Sequence, residues 1–290
     1  MKIIVTGASG MLGSALCPVL RSQGHEVIAT DLFASQDVKF LDITDKANVD
    51  ALITEANPDI VMHLAAATDV DQCELEPQMA FKSNSLATRN VAEACRENDA
   101  VMVYISTSSV FDGSKKAPYV ETDTPNPLSV YAKAKLEGEG HVQALLKKYF
   151  IIRAGWMIGG GPKDKKFVAK MVDLMRTRKE IFAVTDKKGS PTYTVDFSAN
   201  VMPLVETGKY GIYHMANRGE CTRFEIAQKI AEVLKLDVNV KPATSDMFPA
   251  PAPRPASESL YNRKLEGLGI NRMRPWEAAL EEYLKENFRE

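Results

Sequence analysis

Cysteine is scarce, and the four present (Cys17, Cys73, Cys95 and Cys221) show neither paired metal-ligand spacing nor the density of a disulfide-built fold. The expectation is four reduced thiols and no structural zinc. Net charge is also lacking: 36 basic against 38 acidic residues leave a formal −2, with no global pull toward nucleic acid or anionic lipid. No apolar run approaches the roughly 20 residues that span a bilayer. The first residues are already strand-like, leaving no room for a signal peptide, so a cytoplasmic location is expected. What remains is an ordinary globular composition, 45% hydrophobic and 26% charged over 290 residues. That length suits one large α/β domain with a smaller lobe.

Short apolar runs alternate with helical periodicities. Strands are expected over residues 2–6, 26–30, near 41–42, 60–64, 101–106 and 150–153. Helices are expected over 11–22, 48–56, 80–96 and 129–148. This alternation predicts a parallel sheet covered on both faces. The pattern loosens after about residue 156, where Gly159, Gly160, Gly161 and Pro162 break the chain. Helices over 167–178, 196–206 and 224–234 and a strand over 211–215 follow. Residues 242–255 hold five prolines, which exclude a helix or a central strand and predict a loop, with a proline-motif ligand as the sharper alternative. The division expected is a dinucleotide-binding domain over 1–156, rejoined by about 194–217, and a substrate lobe from 157–193 and 218–290. No internal repeat is present.

The first strand runs into a turn with Gly7, Gly10 and Gly13, followed by a helix. Glycine lets backbone approach a pyrophosphate closely, and the helix N-terminus presents free N–H groups to its oxygens. The spacing GxxGxxG points to a short-chain dehydrogenase type of Rossmann fold, with Ser9, Met11 and Leu12 also lining the cofactor. Asp31, 18 residues past Gly13, ends the second strand, where a carboxylate accepts bonds from ribose hydroxyls and repels a 2′-phosphate. With no basic residue in the turn, NAD(H) is favoured and NADP(H) kept as the alternative. Asp42 and Ile43 are placed beside the adenine. Leu64, Ala65, Ala66 and Ala67 are placed beneath the pyrophosphate and ribose, although such alanines also serve mere packing.

Tyr131 and Lys135 stand one helical turn apart on one face, and Tyr131 follows Thr107 by 24 residues. A phenol with a pKa near 10 is a poor acid–base catalyst at neutrality. An ammonium about 4 Å away stabilises the phenolate by roughly 4 kcal/mol at an effective dielectric near 20. Lys135 is therefore expected to lower the pKa of Tyr131 and to bond the nicotinamide ribose. Thr107 is expected to hold the substrate oxygen. YxxxK alone is common on solvated helices; downstream of the glycine turn it is specific.

The segments TGASGMLG (6–13), AAATDVDQCE (65–74), AFKSNSLATRNVAEAC (80–95), STSSVFDG (106–113), PNPLSVYAKAKLEGE (125–139), IIRAGWMIGG (151–160), GSPTYTVDFS (189–198) and RPASESL (254–260) resemble the extended short-chain dehydrogenase/reductases. More narrowly, they resemble the dTDP-4-dehydrorhamnose reductase (RmlD-like) family. The resemblance implies reduction of the C4 ketone of a nucleotide-linked 6-deoxyhexose, with Tyr131 protonating the oxygen. It also implies that Asn84, Ile105 and Ala154 border the cofactor and that Thr68, Val70 and Ser108 border the sugar. Trp156 is read as facing the substrate or as a core aromatic, and Arg254 as meeting the diphosphate or as a surface ion pair. Where the family runs Asp-Tyr after the threonine, this chain has Ser108 and Ser109. That leaves the sugar open and argues against a 4,6-dehydratase, which needs carboxyl groups there.

Two alternatives accompany the reductase reading: a nucleotide-sugar 4-epimerase that retains NAD, and a catalytically silent regulatory subunit similar to the β subunit of methionine adenosyltransferase. A homodimer through helices 80–96 and 129–148 is an expectation by analogy. No carboxylate cluster suggests a metal at such a contact.

Overall fold

A computed structural model describes residues 1–161, 164 and 166–289. Pro162, the last residue of the expected chain break, lies outside them. The first half follows the expected alternation: β1 (Lys2–Thr6), α1 (Met11–Ser22), β2 (Glu26–Asp31), β3 (Lys39–Phe40), α2 (Lys46–Ala56), β4 (Ile60–His63), α3 (Val70–Leu75), α4 (Pro77–Phe81), α5 (Ala87–Glu97), β5 (Val101–Thr107), α6 (Val130–Leu145) and β6 (Tyr149–Ala154). The second half adds β7 (Trp156–Ile158), α7 (Phe167–Thr177), β8 (Glu180–Val184), β9 (Lys188–Gly189), β10 (Pro191–Tyr193), α8 (Thr194–Val205), β11 (Gly211–His214), β12 (Cys221–Thr222), α9 (Arg223–Leu234), β13 (Asn239–Ala243), β14 (Ser257–Glu258), α10 (Arg263–Gly267) and α11 (Trp276–Asn287).

Seven strands form one parallel sheet in the order β11-β6-β5-β4-β1-β2-β3. The central strands β1 and β4 are apolar on both faces because helices cover both. On one face Leu12, Leu16 and Leu20 of α1 pack with Phe197, Val201 and Leu204 of α8. On the other, Val49 and Ile53 of α2 and Val91 and Cys95 of α5 pack over Ile4, Val61 and Met102. The chain reverses its direction of winding between β1 and β4, so the carboxyl ends of β1, β4 and β5 open onto one crevice, the usual ligand position in such sheets. A separate core forms beyond β7, where Val168 and Val172 of α7, Ile226 and Ile230 of α9 and Leu280 and Tyr283 of α11 meet.

Two expectations need correction. The helix expected over 80–96 is broken: Lys82–Leu86 forms a π-helical turn between α4 and α5. The Asn84 carbonyl there accepts from Tyr104 Oη of β5 at 3.4 Å and from Thr88 Oγ1, one turn on, at 2.9 Å. The proline-rich stretch is not loop from its first residue, since Pro242 lies in β13, paired with Ala183 of β8. A two-stranded sheet leaves each strand an open edge, where a missing N–H costs no ladder bond.

Candidate active site

The glycine turn is shaped by contact with β4. Gly7 has a φ of +69°, and a Cβ there would lie 2.7 Å from the backbone nitrogen of Ala65. At Gly13 a Cβ would meet Ala8 Cα and Gly7 O at 2.5 Å. Turn and strand end are thus pressed together, with the alanines at 65–67 leaving room above. Gly10 caps α1 without a side-chain bond and no acid occupies the first helical turn, so its leading N–H groups face outward to an anion. Ser9 and Gly10 are exposed, Met11 is half-buried, and Leu12 lies in the core. Asp31 joins the turn directly: its Oδ2 accepts from the Ser9 N–H at 2.9 Å. These features fit a dinucleotide.

Other expected cofactor contacts have different occupations. Asp42 caps the Thr44 N–H at 2.8 Å, and Ile43 is buried beneath α2 rather than open to an adenine. Asn84 is fully buried and clamps the peptide of Ala67, accepting from its N–H at 2.8 Å and donating to its carbonyl at 2.9 Å. Its amide is spent holding the end of β4, which supports the crevice indirectly. Leu64 packs against the core, Ala66 is half-buried, and Ala154 is buried on β6 beside Thr107.

The residues expected to carry proton transfer come from two elements. Thr107 ends β5, and its Oγ1 accepts from the Ser109 N–H at 3.1 Å, turning the chain sharply out of the sheet. Tyr131 and Lys135 project from α6, whose Ser129 N-cap accepts from the Ala132 N–H at 3.3 Å. Close approach of α6 is set by Gly138, where a Cβ would lie 2.6 Å from Tyr104 Oη.

Lys135 is 3% exposed, donates to the Ile105 carbonyl at 2.7 Å and sits 4.1 Å above the Tyr104 ring. Burial lowers its pKa to about 7, while the nearby Glu139 carboxylate pulls the other way. Tyr131 is half-buried. Desolvation pushes its phenol up to about 12, the nearby Thr107 hydroxyl opposes the rise, and the Cys73 and Glu258 side chains add to it. The expected depression of the phenol by Lys135 is therefore outweighed by burial. The ammonium is spent on Ile105 and Tyr104, and low dielectric dominates.

Four residues that the motifs did not reveal complete the crevice. Glu139 is fully buried; its carboxylate takes Ser106 Oγ at 2.6 Å and a bidentate Arg153 guanidinium at 2.9 and 2.6 Å. Spacing alone signals this residue, since it lies one turn beyond Lys135 on the same face. Tyr104 forms the floor under Lys135. Glu258, on β14, accepts from Ser108 Oγ at 3.0 Å and Ser109 Oγ at 2.6 Å. A carboxylate thus reaches the position where the two serines had suggested none. Arg223 opens α9 and stacks its guanidinium 3.8 Å from the Trp156 ring centroid and 4.7 Å from that of Phe167.

Trp156 accordingly carries a cation rather than lying in a sealed core, with Gly189 so close that a Cβ would reach 2.4 Å from the ring. Arg254 takes the ion-pair option, bonding Asp71 at 3.0 Å and the Ala252 carbonyl at 3.2 Å. Val70 begins α3, and exposed Thr68 accepts from Lys166 Nζ at 3.3 Å across the crevice.

Comparison with known proteins agrees with this architecture. The family model for the RmlD substrate binding domain matches residues 1–288. The spore coat polysaccharide biosynthesis protein SpsK of Bacillus subtilis is 38% identical over 285 residues, covering 98% of this chain and 97% of that protein. A dTDP-4-dehydrorhamnose reductase of Mycolicibacterium smegmatis is 37% identical, over 97% of this chain and 84% of its own length. The solved dTDP-4-dehydrorhamnose reductase of Bacillus anthracis, in complex with NADP, superposes with a TM-score of 0.92 at 38% identity over 98% of this chain and 99% of that one. A UDP-glucose 4-epimerase of Thermus thermophilus with NAD shares the fold, with a TM-score of 0.85 at 24% identity over 98% of each chain. Glycine turn, crevice and end-to-end similarity together place the chain in the RmlD substrate binding domain family, among the NAD(P)-dependent oxidoreductases.

Proposed function

We propose that this chain reduces the C4 ketone of a nucleotide-linked 6-deoxyhexose at the expense of NAD(P)H, as a dTDP-4-dehydrorhamnose reductase, with Tyr131 as proton donor. The observation that carries the reading is the nearness of Thr107 to the Tyr131 phenol at the exit of β5, close enough for the threonine hydroxyl to hold the phenol's pKa down against burial. Bound along the glycine turn, the reduced nicotinamide supplies hydride to the carbonyl carbon. Thr107 holds the carbonyl oxygen, and Tyr131 delivers its proton to that oxygen as negative charge develops there. A phenol kept neutral by burial is in the form a donor requires. Lys135, fixed by Ile105 in the same crevice, is charged only in part near neutrality, and a phenolate forming beside it would draw it to the charged form.

The division of labour proposed is that residues 1–156 with about 194–217 bind the dinucleotide and 157–193 with 218–290 bind the sugar nucleotide; the two main cores support it, although Leu265 and Met273 of the last segment pack into the core of the sheet. Asp31, bonded to the turn, supports a preference for NADH, because a 2′-phosphate would approach its carboxylate.

Incubation of purified protein with NADPH or NADH and a dTDP-4-keto-6-deoxyhexose is expected to consume one reduced cofactor per sugar. Sugar isomerised without net consumption would instead indicate an epimerase. Tyr131→Phe should lower kcat by about 10²–10⁴-fold, the usual worth of a positioned general acid, with cofactor affinity retained. A Tyr131→Phe variant with unchanged turnover would overturn the assignment of the donor.

A further inference from the structure

Glu258 is 7% exposed and arrives at the crevice from a strand 150 residues beyond Ser108 in sequence. Both serine hydroxyls converge on one of its oxygens, Oε2. Among the described residues Oε1 has no hydrogen-bond partner, and it is not among the sealed, unpartnered polar atoms of the interior. A carboxylate anchored through one oxygen and open through the other is built to accept a bond from something outside the protein.

Its surroundings place that acceptor. Ser108 and Ser109 directly follow Thr107, which faces Tyr131, and the charge of Glu258 is felt at both the Tyr131 phenol and the Arg223 guanidinium. Arg223 is stacked on Trp156 and makes no salt bridge within 4 Å among the described residues, so its charge and that of Glu258 act on each other without a direct ion pair.

We propose that Glu258 is a specificity-determining residue of the sugar site, its Oε1 accepting a hydrogen bond from a hydroxyl on the ring carbon next to the ketone. The inference rests on the reductase reading for the nature of the ligand. It deepens that reading by requiring an uncharged sugar with a donor beside the reacting carbon, since an anionic sugar would meet a fixed negative charge. Ser108 and Ser109 then act as positioning residues, taking up Oε2 so that Oε1 points outward.

The test is equilibrium binding to the NADP⁺-loaded protein, which is independent of turnover. A dTDP-linked 6-deoxyhexose and dTDP alone are titrated calorimetrically, and the ratio of their dissociation constants isolates the sugar's contribution. In Glu258→Gln this ratio should shrink by about 10- to 100-fold, the discrimination expected of a hydrogen bond to a charged acceptor, with dTDP and NADP⁺ affinities retained. A ratio equal to wild type, or a wild type that does not distinguish the sugar nucleotide from dTDP, overturns the proposal. Should Glu258→Gln fail to fold, Ser108→Ala with Ser109→Ala keeps the carboxylate and removes its tether. That double variant should shrink the ratio in the same direction, and an unchanged ratio again overturns the proposal. Failure of the reductase reading shows separately, as absent NAD(P)H consumption by a wild type whose binding ratio still depends on Glu258.

Discussion

Burial decides which proton carriers in the crevice are charged. Tyr131, pushed up to about 12, stays neutral through the physiological range, whereas Lys135, lowered to about 7, titrates within it. The sign of the resulting stability effect follows from which state binds more protons. Above pH 7 the folded protein releases the Lys135 proton, while the unfolded chain keeps it up to about 10.4. Stability contributed by this position therefore rises with pH across that window. Relative to Lys135→Met, the cofactor-free wild type should gain about 2–3 kcal/mol between pH 7 and pH 9, at about 1.4 kcal/mol per pH unit. Urea unfolding of both proteins at the two pH values measures it, and a pH-independent difference would show that the ammonium is not desolvated. Tyr131 and Lys135 were legible as neighbours on one face because helical spacing sets that, and Thr107 because the end of an apolar strand can be read from its run. The charge states were not, because they depend on the ring of Tyr104 and on depth of burial, which spacing does not encode.

At the scale of elements, the crevice depends on how tightly β1, β4 and α6 approach one another. The alternation of strands and helices was readable because each element's period matches the face it buries. The π-helical turn at Lys82–Leu86 was not, because Asn84 within it is bound to Tyr104 and Ala67, both distant in sequence, which local propensity does not encode. On α6, Tyr131, Lys135 and Glu139 form a line one turn apart, and Glu139 ties the helix to β6 through Arg153. Glu139→Gln leaves Arg153 buried without its counter-charge, so a loss of about 3–5 kcal/mol in urea unfolding is expected. Loss within experimental error would mean that water solvates the guanidinium. The glycine turn makes a complementary demand. A methyl at Gly13 collides with backbone atoms of Ala8 and Gly7 that cannot rotate away. Gly13→Ala is thus expected to cost about 1–3 kcal/mol of stability by overpacking and to weaken cofactor binding in a fluorescence titration.

Across the whole molecule, the late segment at 252–261 stitches the second core onto the sheet. Ala252 and Arg254 bond Asp71, Glu258 holds the serines after β5, and Tyr119 pairs with Leu260. These contacts span well over a hundred residues, so nothing in local pattern announces them, and Glu258 could be found only by folding the chain. The cofactor end of the molecule was more legible, because Asp31 needs only the length of one β-α-β unit to reach the glycine turn. That short path allows a global test. A ligand at 100 times its dissociation constant stabilises the native state by about 2.7 kcal/mol, so relative affinities can be read from unfolding shifts at matched concentrations. The Asp31 carboxylate, already bonded to Ser9, can accept from a ribose hydroxyl but opposes a 2′-phosphate. NADH should therefore shift the unfolding transition more than NADPH does, and Asp31→Ser should narrow or reverse the gap by relieving the repulsion. A catalytic efficiency tenfold higher with NADPH in the wild type would mean that the carboxylate swings away from the turn when the phosphate arrives.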